Sequence, residues 1–298
     1  MHNPIPFVGR KEELNELKNH FNDSLDSHSS LVLVRGETGV GKTRLLEEFI
    51  GSIEPKVWIL TGKALQNDVR PFSPFLQIIE KHLEKIEYQP QWLVKCIEPE
   101  TFPYFANFLP KPKNNYPIEI SMSGLQFEDK SVFFNAVERF LSNLVMYKPL
   151  VLFIDDIVWM DADAQELFKY IVMRMSDKAI LFLCSARLWQ KDTDFQSMID
   201  ELAERRNIRI LDLANLTESD VEMLVTKQFG ITFSSQFVNW LFNITKGNPL
   251  FISEMLNIFL RRNIIFYEPT EKKWNIRDDY TDFPLSPTIE SIVKMRLR

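Results

Sequence analysis

The feature that most limits what this chain can become is a glycine loop set between two apolar segments. Leu31-Val32-Leu33-Val34 is an aliphatic run of the kind that fills a buried strand, and Arg44-Leu45-Leu46-Glu47-Glu48-Phe49-Ile50 spaces its apolar residues as a helix does. Between them lies Gly36-Glu37-Thr38-Gly39-Val40-Gly41-Lys42-Thr43. Gly36, Gly39 and Gly41 let the backbone curl so that successive N–H groups point inward, and the helix that comes next adds partial positive charge at its first turn. Such a cradle takes phosphate. Glu37, Thr38 and Val40 contribute backbone N–H groups, Lys42 can reach β- and γ-phosphates, the Thr43 hydroxyl is placed to ligand Mg²⁺, and Arg44 opens the helix beside them.

A second constellation lies about a hundred residues on. Leu150-Val151-Leu152-Phe153-Ile154 reads as a buried strand whose C-terminal end presents Asp155 and Asp156. Nucleotide hydrolysis needs an oxygen ligand for the metal and a group that orients water. The expectation is Asp155 to Mg²⁺ and Asp156 to the attacking water. Arg187 comes after another apolar run, Ala179 to Ser185, at the sheet edge where phosphates lie in open α/β folds, and a guanidinium there could sense the γ-phosphate.

Composition narrows the class. The 298 residues are 45% hydrophobic and include 24 Phe, enough for a large core and two domains. A net charge of −6 argues against broad binding to a nucleic-acid backbone. No apolar stretch approaches the roughly 20 residues that span a bilayer, since Asp155 and Asp156 interrupt the longest one. Met1-His2-Asn3-Pro4 shows no signal-peptide pattern, so a cytoplasmic protein with reduced thiols at Cys96 and Cys184 is expected. The four His and two Cys have no ligand-like spacing, which argues against a zinc site.

In chain order, Lys56 to Thr61 and Ile208 to Leu213 complete a set of five short apolar strands separated by helical patterns, which predicts a parallel, doubly wound α/β sheet. Helical spacing also marks Phe75 to Ile86, Gln91 to Ile97, Phe127 to Tyr147 and Ala164 to Met175. Leu109 to Gly124 reads as a surface loop. From Thr217 the pattern turns purely helical: Thr217 to Phe229 with a Thr-x-x-Asp start, Ser234 to Thr245, then Pro249 to Arg262. A hairpin over Ile264 to Ile276 and a last helix over Pro287 to Leu297 complete the pattern. The expected division is 1–213 for the α/β nucleotide-binding domain, 214–263 for a small helical lid, and 264–298 for a hairpin and helix leading toward a further domain.

These segments together resemble the STAND branch of the AAA+-related P-loop ATPases, the predicted-ATPase domain fused to signalling regulators. The resemblance runs through Phe7-Val8-Gly9-Arg10 with Glu13, Gly36 to Thr43, Pro71-Phe72-Ser73-Pro74-Phe75, Leu152 to Asp156 with Trp159 and Asp161, Arg187, and Gly247-Asn248-Pro249 through Glu254. It implies a P-loop fold followed by a helical lid and the start of a winged-helix-like region. It also implies that Val8, Gly9 and Arg10 border adenine and ribose, and that Pro249 touches the nucleotide from the lid. By the same likeness the protein is an ATP-binding switch, closed with ADP and open with ATP, with Mg²⁺ as cofactor and slow hydrolysis as the reset. Its partners would be other protein domains or protomers, engaged through a part beyond residue 298.

Three positions depart from the family pattern. Lys11 stands for an acidic residue, which leaves Glu13 alone there. Val158 stands for a polar residue before Trp159, removing one source of hydrogen bonds at the acidic strand end. Asp156 is one methylene shorter than the usual glutamate, which predicts slow turnover. A DNA-handling ATPase of the same superfamily and a non-hydrolysing nucleotide-dependent scaffold are the competing readings.

Overall fold

The computed structural model describes residues 5–26, 28–53, 56–66, 68, 70–86, 130–187, 193–205 and 208–282. The helix expected at 91–97, the loop at 109–124 and the helix at 287–297 lie outside these residues. The chain forms two compact units, one of Glu12–Gly36 with Lys42–Asp212, the other of Met1–Lys11, Glu37–Gly41 and Leu213–Arg298.

The first unit is the α/β body. Its elements are α1 (Lys11–Leu25), β1 (Ser30–Gly36), α2 (Lys42–Ile53), β2 (Trp58–Lys63), α3 (Ser73–Ile86), α4 (Lys130–Val145), β3 (Leu150–Asp155), α5 (Ala162–Arg174), β4 (Ile180–Arg187), α6 (Thr193–Arg205) and β5 (Ile208–Leu213). The strands form one parallel sheet in the order β2-β3-β4-β1-β5, flanked by helices. The five strands expected from the apolar runs are all present. Every residue of β3 is buried, and so is all of β4 but Arg187, which is why these strands read as continuous apolar runs without alternation.

The core lies between the sheet and its helices. Phe168 of α5 meets Phe182 of β4 edge-on at 6.1 Å, and Phe72 packs on Phe133 and Phe134 of α4. Aromatic pairs in these geometries add about 0.5–1.5 kcal/mol each beyond the area they bury. Strand register then decides which residues meet at the end of the sheet. Gly36 stands opposite Arg187, and Lys63 stands opposite Asp155, so the C-terminal ends of four parallel strands share one edge.

The second unit holds α7 (Glu218–Phe229), α8 (Ser235–Thr245), α9 (Pro249–Arg261) and the antiparallel hairpin of β6 (Ile265–Glu268) and β7 (Lys273–Ile276). The Thr-x-x-Asp start is a capping box: Asp220 N–H donates to Thr217 Oγ1 at 3.2 Å and Thr217 N–H donates to Asp220 Oδ2 at 3.0 Å. Ser234 and Asn248 cap the next two helices. The three helices bury an aromatic core of Phe229, Phe233, Phe237 and Phe259, to which Val8 of the N-terminal segment belongs.

Candidate functional site

In the α/β body, β4 lies between β1, which leads into the glycine loop, and β3, which carries the acids. A parallel sheet points all its strand ends one way, so Gly36, Lys63, Asp155 and Arg187 meet at a single edge. α2 begins there with Lys42 and Thr43. Lys42 is buried, its Nζ donates to the Gly36 carbonyl at 3.0 Å, and burial pulls its pKa below the ordinary lysine value. Asp156 and Asp155 oppose that shift and Arg187 adds to it.

Asp155 is only 6% exposed, so its carboxylate requires partners. Oδ1 accepts from the Thr43 hydroxyl at 2.9 Å and from the Ser185 hydroxyl at 2.6 Å, while Oδ2 faces Lys63 Nζ at 3.3 Å. Thr43 and Asp155, read separately from sequence, are thus joined directly. Asp156 adopts a left-handed backbone, φ 54° and ψ 46°, a region that Asp enters more readily than most residues. The turn carries its chain off the strand into a short 3₁₀ segment at Ile157–Trp159. Its N–H donates to Ser185 Oγ at 2.8 Å, and its carboxylate lies 3.8 Å from Arg187 Nε. Arg187 also sits over the Trp159 ring, 5.7 Å from the centroid.

The remaining loop residues belong to the helical unit. Gly39 has φ 82°, and a Cβ there would come within 2.6 Å of Leu250 Cβ and 2.8 Å of Asn248 Oδ1, so both conformation and space call for glycine. Asn248 Nδ2 donates to the Thr38 carbonyl at 3.1 Å, and Leu250 N–H donates to the Gly39 carbonyl at 3.2 Å. The Glu37 carbonyl accepts from Val40 N–H at 3.4 Å. Arg10 is buried and donates to the carbonyls of Ala214 at 2.6 Å and Val40 at 3.4 Å. Gly9 turns beside Asp220, and Pro249 occupies the first position of α9. The Arg44 guanidinium pairs with Glu48 one helical turn on, at 2.5 Å, so it points along α2.

Sequence reasoning missed three residues. Ser185 supplies the hydrogen bonds at the acidic strand end, where Val158 is buried and apolar. A lone hydroxyl closing an apolar run was the available signal. Asn248 lay within a stretch already singled out, but its bond to Thr38 depends on a residue 210 positions away. Lys63 carries no sequence signal, because its partner is set by strand order.

The donor set suits magnesium. Thr43 and Asp155 offer two hard oxygens, and among the described residues no group of three or more His, Cys, Asp or Glu could hold an ion by protein ligands alone. Magnesium is commonly held by one or two protein oxygens together with phosphates and water. The body also contains a cavity of about 590 Å³ lined by Thr43, Glu47, Thr61, Lys63, Lys81 and Asp155. Among the described residues, no helix is long and apolar enough to cross a membrane.

Known proteins share the fold. Residues 6–183, more than half of the chain, match the AAA ATPase domain family, and residues 217–271 match a domain of unknown function, DUF8739. No curated protein matches the chain. The fold is similar to that of the Walker-type ATPase PABY2304 of Pyrococcus abyssi, with a TM-score of 0.54 and 12% identity over 86% of this chain and 69% of that one. It is similar to CDC6P from Pyrobaculum aerophilum, with a TM-score of 0.56 and 13% identity over 88% and 65%. It is also similar to the Aeropyrum pernix ORC1 protein, whose structure is of a complex with DNA, at 0.50 and 15% over 97% and 66%. The chain spans about two thirds of the length of each. By its match over residues 6–183, the chain belongs to the AAA ATPase domain family.

Proposed function

We propose that the chain is the nucleotide-operated part of a STAND-type signalling protein, an ATP-binding switch that hydrolyses slowly in the cytoplasm. The observation that carries this is the junction of Thr43 with Asp155, beside buried Lys42, at the end of the sheet. The proposed division is 1–213 for nucleotide binding, 214–263 for the lid, and 264–298 for the approach to a winged helix. The motif series from Val8 to Pro249, in family order, supports the STAND assignment.

In this reading the backbone N–H groups of Gly36 to Thr43 hold the phosphate chain, and Lys42 places its charge on the β- and γ-phosphates. Val8, Gly9 and Arg10 border adenine and ribose, and Pro249 approaches from the lid. Thr43 and Asp155 would hold Mg²⁺, which would neutralise phosphate charge when bound. Asp156 accepts a hydrogen bond from the attacking water and turns its lone pair toward the γ-phosphorus. Arg187 binds the γ-phosphate oxygens as ATP and water become ADP and phosphate. Its 3.8 Å approach to Asp156 lets one residue report to the other whether that phosphate is present. The short Asp156 side chain favours slow turnover.

Single-turnover hydrolysis tests the reading. Asp156→Ala should retain ATP binding and lose the cleavage that wild type shows; equal cleavage by the two proteins would overturn the catalytic assignment, and ATP binding without cleavage by wild type would favour a non-hydrolysing scaffold. A DNA-handling role is the second reading, raised by the ORC1 neighbour whose structure contains DNA. It requires salt-sensitive DNA binding, against which the net charge of −6 weighs. Filter binding at low salt separates the two.

A further inference from the structure

Lys63 is a cation at the site that neither the glycine loop nor the acidic strand end announces. Thr43 and Ser185 both donate to Asp155 Oδ1, while the Lys63 ammonium lies 3.3 Å from Oδ2. The contact is built from the backbone upward. Parallel pairing of β2 with β3 sets Lys63 directly opposite Asp155. Gln77 of α3 pins that strand end through both backbone groups of one residue: it accepts from Lys63 N–H at 3.1 Å and donates to the Lys63 carbonyl at 2.9 Å. Gly62 lies so near the Pro74 carbonyl that a Cβ would come within 2.4 Å, so strand and helix approach as closely as glycine allows. The Lys63 backbone is held, and its side chain is 52% exposed.

We propose that Lys63 is a positioning residue that shares Asp155 with the divalent metal, and so makes nucleotide retention less dependent on Mg²⁺. The proposal rests on the nucleotide-binding reading above. A buried carboxylate beside the glycine loop repels incoming phosphate, and the ammonium offsets that repulsion before metal binds. A divalent ion attracts the same carboxylate more strongly, and lysine's flexible four-carbon stem lets the ammonium withdraw into the cavity that Lys63, Asp155 and Thr43 line together. Lys63 therefore strengthens metal-free binding and competes with metal-assisted binding. Both effects shrink the coupling between metal and nucleotide.

The test is a titration of the full chain with a fluorescent ADP analogue, in magnesium and in EDTA, for wild type, Lys63→Met, Lys63→Gln and Lys63→Arg. The ratio of the Kd in EDTA to the Kd in magnesium should rise on the order of tenfold in the Met and Gln variants, and stay near wild type in Arg. A ratio unchanged in both neutral variants overturns the proposal, as does an equal rise in Lys63→Arg, which would assign the effect to shape. If wild type binds and only the ratios fail to move, the nucleotide site stands and the Lys63 role falls. If wild type binds no nucleotide in either buffer, both fall.

Discussion

Ser185 Oγ donates to Asp155 Oδ1 at 2.6 Å and accepts from the Asp156 N–H at 2.8 Å. One fully buried hydroxyl therefore orients the proposed metal ligand and anchors the turn that carries the proposed water-orienting acid. It can do so because β4 runs between the strand of the glycine loop and the strand of the acids. Neighbours of a ligand that fix its direction commonly matter nearly as much as the ligand itself.

Ser185→Ala removes that donor and leaves the Asp156 N–H without its acceptor. Mg²⁺-dependent hydrolysis should fall about 10- to 100-fold. Stability should fall by about 1–3 kcal/mol, the range for a buried polar group deprived of its partner. Single-turnover kinetics and urea unfolding of the same preparation measure both. Undiminished hydrolysis would mean that Asp155 and Asp156 hold their geometry without Ser185.

Asn248 joins two functions in one side chain. Its Oδ1 caps α9 by accepting from Leu250 N–H at 3.1 Å, and its Nδ2 donates to the Thr38 carbonyl at 3.1 Å. Asn248→Ala should destabilise the helical unit by about 1–2 kcal/mol, as lost caps do. It should also speed amide exchange at Leu250, whose N–H then keeps only the Gly39 carbonyl. Hydrogen exchange resolved to single peptides checks this; protection equal to wild type at Leu250 would contradict it.

The lowered pKa of Lys42 gives nucleotide binding a pH dependence. Burial favours the neutral amine in the free protein, whereas bound phosphate favours the ammonium, so binding takes up a proton wherever Lys42 has begun to deprotonate. Affinity for ADP should be level at pH values below the free-protein pKa of Lys42. It should decline as pH rises through that value, beginning earlier than for a lysine in water. Lys42→Arg, which stays charged throughout, should lose the decline while keeping some binding. Affinity still level at pH values well above the ordinary lysine pKa would contradict the assignment.

Much of this was legible in the chain because the informative signals are local. The strand-loop-helix unit from Leu31 to Ile50, the apolar run ending in Asp155 and the Thr217 cap each declare themselves within a few residues. Long-range pairing declares nothing. Whether β2 or β1 lies beside β3 depends on packing between elements far apart in sequence, and the Lys63–Asp155 pair arises only from that order. Val158 shows the limit from the other side. Its departure from the family pattern pointed to a loss of hydrogen bonding near the acids, yet Ser185 on the adjacent strand provides it.

In the proposed function, the glycine loop and the Asp155 strand end hold one metal-bound nucleotide. Calorimetric titration of wild type and Lys42→Ala with Mg-ATP tests it most directly. Wild type should give a saturable heat at one site per chain, with affinity reduced at least tenfold in the variant, since a charge-assisted phosphate contact contributes roughly 1.5–3 kcal/mol. Equal binding by the two proteins, or no heat from wild type, would contradict it.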